Sequence, residues 1–244
     1  ENFDLDPQLA AMTKRSAFDL VATVPNSAEV AGYAQCIKRD GTTTTLIQAG
    51  TDVYQWDHAT GFTSVGTVSS GAKLRGGRDQ NFTLDELVLI TDIALQQVVM
   101  TWDGTTFQAL PHNLSGAFYA KYCRVHHERA FYGNIRNNSN YLPHVIVGSE
   151  RENAEIISNT TRPASVNVLT DPFFLTTLDL KPINALEQAF GVLLISTRRG
   201  RIFRLSGSNA FDFAIDEFFP GAAVAGDEAV VNIGNDVAMG LPAR

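Results

Sequence analysis

The feature that most constrains this fold is a short β-rich unit that recurs along the chain. The unit is clearest in residues 86–111, where an apolar run is followed by Val98–Trp102, an Asp-Gly pair and a returning segment that stops at Pro111. An Asp-Gly pair between β-rich segments favours a two-residue type I′ hairpin turn. Proline ends the last segment because it has no N–H for a ladder. Residues 86–111 therefore predict a three-stranded antiparallel meander.

Two further stretches repeat this order of segments. Residues 45–65 contain a second Trp-Asp dipeptide, and residues 192–215 carry a leucine where the other copies carry tryptophan. Self-similarity at roughly 40–50 residues, with several strands in each copy, is typical of propeller blades stacked around an axis. The sequence therefore predicts an all-β chain, a β-propeller of antiparallel meander blades, with about four blades and part of a fifth.

The repeats also nominate the residues that build each blade. The aromatic or leucine side chain at the repeated position is expected to pack between blades, and the residues after it are expected to serve turns. These architectural positions are Trp56, Asp57, Trp102, Asp103, Gly104 and Leu205.

The domain organisation follows from the positions of the repeats. Residues 1–27 form an N-terminal lead-in, in which Asp6-Pro7 predicts one or two turns of helix through Met12. Residues 28–244 form the blades, with an irregular, proline-punctuated insertion at 159–185. The last β-rich segment, 229–240, opens a fifth blade without partner strands after it. Continuation of the polypeptide beyond this point is expected, because unpaired edge strands invite aggregation.

Composition narrows the classes of function. The net charge of −7 gives no reason for the whole molecule to attract nucleic acid or an anionic membrane. No apolar run reaches the roughly 18 residues that a membrane helix needs, so membrane insertion is not expected. Cys36 and Cys123 form no ligand or redox motif and are expected to be buried free thiols.

Catalytic and metal-binding patterns are weak. His126-His127-Glu128, with His144 downstream, is the best metal candidate, but neighbouring strand residues point to opposite faces, so a polar turn is the favoured interpretation. A glycosidase would need carboxylates across a cleft. The candidates are three adjacent acidic pairs, Asp85-Glu86, Asp216-Glu217 and Asp227-Glu228. No cofactor, metal or catalytic residue is predicted, and the chain is not expected to be an enzyme.

Two basic clusters are candidates for contacts with DNA in a channel or with a neighbouring subunit. A solvated surface loop is the favoured interpretation for each cluster taken singly. The first cluster lies in a glycine-rich stretch between the first two blades, and the second lies on a hairpin of the fourth unit. The residues proposed for these contacts are Arg75, Arg78, Arg198, Arg199 and Arg201.

One block of the sequence resembles a viral family. Residues 127–133 (HERAFYG), the asparagine-rich loop 137–140 and the strand-like 145–150 (VIVGSE) are similar to a blade of podovirus tail nozzle proteins, also called tail tubular protein B. Residues 183–186, 192–197 and 203–207 are similar to the blade that follows in that family. Ala130 departs from the pattern, which prefers leucine there. The resemblance spans roughly residues 118–240.

The resemblance implies a non-enzymatic virion component of the tail or head-to-tail connector. Such proteins have a propeller body and assemble as a ring-shaped homo-oligomer, commonly a hexamer, around the DNA exit channel. The implied partners are other copies of the chain, other tail or portal and adaptor proteins, and viral DNA that passes without sequence-specific binding. An acidic body suits a conduit that should not hold its cargo.

Two other classes remain open. Residues 56–61 (WDHATG) resemble a blade of the WD40 family, in which an aromatic-aspartate pair closes the third strand, and this resemblance implies a protein-interaction scaffold. A carbohydrate-active propeller is the third class, with the acidic pairs as its candidates.

Overall fold

The structure, a computed structural model, describes twelve ranges of the chain. These are residues 3–6, 11–14, 22–38, 40–76, 83–84, 86–157, 173–198, 200–207, 212–220, 224, 230–232 and 237–239. Every helix or strand assigned within these ranges is a β-strand, so the all-β prediction is confirmed. The sheets are curled, into a half-barrel and a nearly closed barrel.

The chain begins with a two-stranded antiparallel hairpin. Strand β1 (Phe3–Asp6) pairs with β2 (Ala11–Lys14), and Asp6 stands opposite Ala11. The predicted helix through Met12 is therefore wrong at residues 11 and 12, and residues 7–10 lie outside the described part of the chain. Strand pairing with β1 gives the backbone of Ala11–Lys14 hydrogen-bond partners along one edge, whereas a single helical turn would leave unpaired groups at both ends.

Two antiparallel meanders form the next nine strands. Unit 1 contains β3 (Val30–Ile37), β4 (Thr43–Ala49), β5 (Asp52–Asp57) and β6 (Gly61–Thr67) in that spatial order. Unit 2 contains β7 (Leu74–Arg75), β8 (Thr83–Leu84), β9 (Leu87–Asp92), β10 (Met100–Trp102) and β11 (Phe107–Ala109). The meander predicted for residues 86–111 is present as β9-β10-β11.

Unit 2 has a divided first strand. Both β7 and β8 pair with the edge of β9 that faces away from β10. Strand β7 also pairs in parallel with β3, through Tyr33 and Arg75, and so joins units 1 and 2 into one nine-stranded sheet. With β7 and β8 counted as one strand, unit 2 has the same four-strand order as unit 1.

Two more antiparallel units follow. Unit 3 contains β12 (Phe118–His126), β13 (Arg129–Asn137), β14 (Asn140–Glu150), β15 (Asn153–Ile157) and β16 (Phe173–Thr176). Unit 4 contains β17 (Ile183–Ala189), β18 (Val192–Thr197), β19 (Arg201–Ser206) and β20 (Ala214–Pro220). A last hairpin joins β21 (Val230–Asn232) and β22 (Val237–Met239).

The segment predicted to be an irregular insertion contains a strand. Residues 173–176 form β16, which pairs with Val145–Gly148 of β14 and supplies the fourth strand of unit 3. Strand β15 extends the far end of β14 as a hairpin. The start of β17 also falls in the segment predicted to be irregular. Residues 159–172 lie outside the described ranges.

The apolar core is divided into layers between consecutive units. One cluster joins Ala34, Leu46 and Val53 of unit 1 to Val88 and Trp102 of unit 2. A second joins Leu89 and Leu110 of unit 2 to Phe118, Tyr132 and Val147 of unit 3. A third joins Phe131 and Ile146 of unit 3 to Leu193, Phe203 and Leu205 of unit 4. Because alternate strand residues face opposite sides, adjacent residues such as Phe131 and Tyr132 belong to different layers.

Polar side chains tie each unit to the next. In unit 1, Gln48 donates from Nε2 to the carbonyl of Ala72 at 2.7 Å and accepts the N–H of Leu74 at 2.9 Å. Thr91 of unit 2 donates to the carbonyl of Lys121 at 3.0 Å.

The same arrangement continues in the second half of the chain. Asn134 of unit 3 donates to the carbonyl of Ile183 at 2.8 Å, and Asn184 of unit 4 donates to the carbonyl of Val224 at 2.7 Å. These bonds fix the position of one unit against the next where apolar packing alone would permit sliding.

Replacing Gln48 by methionine is expected to lower the free energy of unfolding by about 1–3 kcal/mol. Methionine has a similar shape, but it leaves buried backbone groups of residues 72 and 74 without partners, and each such group carries a cost of this order. Urea denaturation measures the change. Gln108 is exposed on β11, so Gln108→Met is the matched control and should leave stability within about 0.5 kcal/mol.

Candidate functional site

The repeated tryptophan and leucine positions fall on the third strand of three units. Trp56 lies on β5, Trp102 on β10 and Leu205 on β19. Trp102 and Leu205 are completely buried, each in the layer shared with the preceding unit. Trp102 also donates from Nε1 to the hydroxyl of Thr44 in unit 1 at 3.1 Å. These two side chains occupy the interior positions that the repeats predict.

Trp56 has a different environment from its two counterparts. It is half-buried, and its ring meets His58 edge-on at 6.0 Å between centroids. Unit 1 is the first of the stacked units, so this face of its sheet has no described preceding unit against it. The repeat predicts that Trp56 packs between blades, but among the described residues its ring is only half-buried, because burial there depends on what packs beside unit 1.

The aspartates that follow the tryptophans hold the next loop. Asp57 accepts the backbone N–H groups of Ala59 and Thr60 at 2.8 and 3.0 Å. Asp103 accepts those of Thr105 and Thr106 at 2.8 and 2.6 Å. The two carboxylates therefore cap the same two positions, two and three residues further on.

The predicted type I′ turn at Asp103-Gly104 is wrong. Strands β10 and β11 are joined by a four-residue loop, 103–106, in which only Gly104 has a positive φ, of 90°. The Asp103 side chain stabilises the longer loop because it satisfies two N–H groups that a two-residue turn would not contain. A Cβ at Gly104 would lie 2.8 Å from Cε of Lys38, so the loop also requires glycine for its close approach to unit 1.

The capping carboxylates make stability depend on pH. Burial raises the pKa of Asp103, but the N–H groups of Thr106 and Thr105 and the charge of Lys38 outweigh it, and the net pKa lies below its ordinary value. The N–H groups of Thr60 and Ala59 lower the pKa of Asp57. Each stabilising contribution is complete above the pKa of the unfolded state, about 3.9, and is lost as the pH falls through the lower folded pKa.

Asp103→Asn is therefore expected to weaken the acid sensitivity of the fold. The amide oxygen still accepts the two loop N–H groups, but it does not titrate. The melting temperature of the wild type should fall more steeply than that of Asp103→Asn between about pH 5 and pH 2.5. Equal slopes for the two proteins would show that the carboxylate of Asp103 does not contribute through its charge.

The basic residues are only partly brought together. Arg75 lies on β7 at the junction of units 1 and 2. Arg198 is exposed and directly follows β18. Burial of Lys121 on β12 lowers the pKa of that side chain, and the charge of Arg198 lowers it further. Arg201 is exposed on β19 and forms an ion pair with Glu217 at 3.7 Å. Arg78 and Arg199 lie outside the described residues.

Sequence reasoning missed a deeply buried charged pair. Arg124 on β12 and Glu187 on β17 form a salt bridge of 3.0 Å between units 3 and 4, with both side chains more than nine-tenths buried. Arg124 also donates to the carbonyl of Cys123 at 2.8 Å. The partners are 63 residues apart, and neither has a sequence motif. The two residues can be recognised as partners only from the structure, in which units 3 and 4 pack together.

The histidine candidate is a turn, as favoured from the sequence. His127 and Glu128 have φ of 47° and 57° and join β12 to β13, with His126 and Arg129 paired across them. His126 is buried, which, with the nearby His127, lowers its pKa to about 4. It is therefore neutral at pH 7. Among the described residues no group of three or more His, Cys, Asp or Glu could hold a metal ion.

Among the described residues, the acidic pairs do not line a cleft. Asp216 and Glu217 are exposed neighbours on β20, so their side chains alternate across the strand. Glu86 follows Asp85, which lies outside the described residues, as do Asp227 and Glu228.

Cys36 and Cys123 are buried free thiols, as predicted, and burial raises the pKa of Cys36. Among the residues that the structure describes, no helix has the length and apolar character needed to cross a membrane.

No protein-family model matches this chain, and a search of the curated proteins finds no match. The functional argument therefore rests on the residues themselves and on the way in which the units are stacked.

Proposed function

We propose that this chain is a structural, non-enzymatic subunit of a bacteriophage tail nozzle or head-to-tail connector. Its body is a β-propeller, and copies of the chain form a ring around the channel through which DNA leaves the capsid. The observation that carries the proposal is the stacking of four consecutive antiparallel units, each of which covers an apolar face of the next.

The contacts between strands support a common centre for these units. Strand β3 contacts β9, β9 contacts β12, β12 contacts β17, and β17 contacts β21. In a propeller the strands nearest the axis are neighbours in this way, while the outer strands diverge. The repeated hydrogen bonds between one unit and the first strand of the next agree with such an arrangement.

The viral part of the proposal rests on the resemblance block. Its three motifs fall on consecutive parts of unit 3: residues 127–133 on the turn and strand β13, residues 137–140 on the next turn, and residues 145–150 on β14. The second block falls on β17, β18 and β19. The motifs are therefore collinear with strands and turns, as blade motifs should be.

The net acidic charge fits a structural subunit that lines a channel better than a nucleic-acid-binding protein. The net charge is −7, and tight binding to a phosphate backbone requires many cationic contacts. In this proposal, Arg75, Arg198 and Arg201 are the residues that would touch passing DNA or an acidic patch of a neighbouring subunit. The proposed partners are other copies of the chain and adjoining tail or portal proteins, within the virion.

A WD40-like interaction scaffold is the second candidate. Trp56-Asp57 ends the third strand of unit 1, and Asp57 caps the loop that follows. Trp102-Asp103 does the same in unit 2. This placement is the one that a WD40 blade gives to its aromatic-aspartate pair, and it requires no oligomer.

The native mass of the full gene product distinguishes the two candidates. Analytical ultracentrifugation over a hundredfold range of concentration should show a closed homo-oligomer if the chain is a ring-forming virion component. A strictly monomeric protein at the highest concentration would contradict the connector proposal and favour the scaffold.

A further inference from the structure

The three most exposed large apolar side chains of the described residues flank one strand of unit 4. Leu178 and Leu180 are 65% and 62% exposed and lie just before β17, and Phe190 is 56% exposed and directly follows it. Strand β17 has seven residues and so spans roughly 23 Å. We call the loop with the two leucines the leucine end of unit 4 and the turn with Phe190 the phenylalanine end.

The backbone at both ends has a conformation that favours other residue types. Leu180 and Phe190 have φ of 50° and 54°, in the left-handed region that favours glycine, asparagine and aspartate. Leu95 is the other bulky apolar residue with a positive φ among the described residues, and it is buried. Its burial offsets the unfavourable backbone conformation. Leu180 and Phe190 are exposed instead, which indicates a partner that covers them.

Hydrogen bonds hold the leucine end in place. Leu180 donates its N–H to the carbonyl of Thr177 at 3.1 Å, and Thr177 is completely buried. The carboxylate of Asp179 accepts the hydroxyl of Thr197 at 2.8 Å and the N–H of Lys181 at 3.1 Å. The two leucines therefore lie on a loop that is ordered before any partner binds, and this lowers the entropic cost of association.

The phenylalanine end is a tight hairpin turn. Phe190 and Gly191 join β17 to β18 between the paired residues Ala189 and Val192, and both have a positive φ. Phe190 thus occupies the first position of a two-residue turn, where asparagine, aspartate and glycine are preferred. The ladder on both sides of the turn fixes the ring at the tip of the hairpin.

The leucine end is cationic. Lys181 follows Leu180, and the exposed Arg198 donates its backbone N–H to the carbonyl of Pro182 at 2.9 Å. Burial lowers the pKa of Lys121, and the charge of Arg198 lowers it further, so these two cations are near each other. The leucines are therefore surrounded by positive charge.

The phenylalanine end lies beside acidic turns of unit 3. The salt bridge between Arg124 and Glu187 joins β12 and β17 two residues before each strand ends, so the turn that contains Glu128 is level with the phenylalanine end. Glu152 donates its N–H to the carbonyl of Glu128 at 2.6 Å, which brings a second carboxylate to this end. Arg151 is a cation of the same turns, and it forms an ion pair with Glu128. The excess charge of these turns is negative.

We propose that the leucine end of one copy of the chain docks on the phenylalanine end of a second copy, as a head-to-tail contact. Apolar side chains meet at the centre and opposite charges meet around them, as in other protein interfaces. This inference rests on the proposed ring-forming subunit, because a head-to-tail contact gives a ring where its rotation closes and a filament where it does not. DNA fits the leucine end less well, since exposed leucines offer a phosphate no hydrogen bond.

Two asparagine variants of the full-length protein test the contact. Leu180→Asn and Phe190→Asn each remove an apolar side chain from one end only, and asparagine tolerates a left-handed backbone. In analytical ultracentrifugation, each variant should raise the dissociation constant of the homo-oligomer about tenfold or more, because a few central side chains carry most of the binding energy. The melting temperature of each variant, measured where the protein is monomeric, should not fall.

An equimolar mixture of the two variants distinguishes a head-to-tail contact from a symmetric one. Leu180→Asn keeps the phenylalanine end and Phe190→Asn keeps the leucine end, so one intact contact remains between a copy of each. The mixture should form a complex of two chains, with the affinity of the wild-type contact and with no larger species. A misfolded variant could not complement the other in this way. Val30→Asn, at a 54% exposed site on β3 of unit 1, is the matched control and should leave the native mass unchanged.

Three results would overturn the proposal: a monomeric wild type at the highest concentration, wild-type association in both variants, or a mixture that remains monomeric. If Leu180→Asn weakened the binding of a short DNA duplex and left the native mass unchanged, DNA would be the partner of the leucine end instead. A closed oligomer that persists in both variants would refute this contact and leave the connector proposal standing. Open filaments of the wild type that either variant dissociates would support the contact and refute the closed ring.

Discussion

Trp102→Ala is expected to lower the free energy of unfolding by about 3–5 kcal/mol, the range for a buried aromatic ring cut back to a methyl group. Trp102 is completely buried between units 1 and 2 and donates a hydrogen bond to Thr44. The truncation therefore removes apolar contacts on both units and leaves a cavity between them. Chemical denaturation followed by circular dichroism measures the loss.

Two control variants distinguish the loss of buried packing from a general sensitivity of the fold to substitution. Trp102→Phe keeps an aromatic ring and should cost clearly less than the alanine variant. Phe218→Ala, on the exposed edge strand, should cost less than about 1 kcal/mol, because its ring is already in contact with water. If Trp102→Ala were as stable as the wild type, the assignment of this side chain to an inter-unit layer would be wrong.

Glu187→Ala is expected to destabilise the fold by about 3–5 kcal/mol, because it removes the carboxylate that the buried guanidinium of Arg124 contacts. The Arg124–Glu187 pair joins the first strands of units 3 and 4. Removal of both charges should lower the free energy of unfolding far less, since well-packed apolar residues of similar volume can replace a buried ion pair at little cost. Arg124→Met combined with Glu187→Leu is the variant that shows this, by the same denaturation measurement.

An exposed ion pair provides the matched control. Arg201 and Glu217 are 3.7 Å apart, with side chains 48% and 36% exposed. Glu217→Ala should change the free energy of unfolding by no more than about 1 kcal/mol, the usual range for surface pairs. A loss at Glu187 no larger than the loss at Glu217 would show that the inner pair is solvated and does not hold units 3 and 4 together.

Local patterns in the sequence predicted the strands well. The alternation and turn signals around residues 86–111 and 192–215 correspond to β9-β10-β11 and to β18-β19-β20. The polar turn at His127-Glu128 is also where the sequence placed it. These features depend on residues close together in the chain, whose preferences are visible in the sequence itself.

The errors arise where a side chain or a distant strand changes the local preference. Asp-Gly favours a two-residue turn, yet the Asp103 carboxylate captures the N–H groups of Thr105 and Thr106 and extends the loop. Residues 11–12 follow a helix-start signal but pair with β1. Strand β16 is separated from its partner β14 by more than twenty residues, so no hairpin pattern in the sequence pairs the two strands.

In the candidate site too, some features follow from the local sequence and others depend on tertiary packing. The repeat identified Trp56, Trp102 and Leu205 as equivalent, and the strand register places all three on third strands. The sequence did not show that Trp56 lies on a face without a preceding described unit. Burial at that position depends on tertiary stacking, which a repeat pattern does not report.

The central claim is that the antiparallel units fan around a common centre, with each covering the apolar face of the next. A cryo-electron microscopy map of the purified full-length protein tests this claim most directly. The account predicts sheets arranged radially, with β3, β12 and β17 innermost. A map with two sheets packed face to face as a sandwich, or with a single closed barrel, would contradict it.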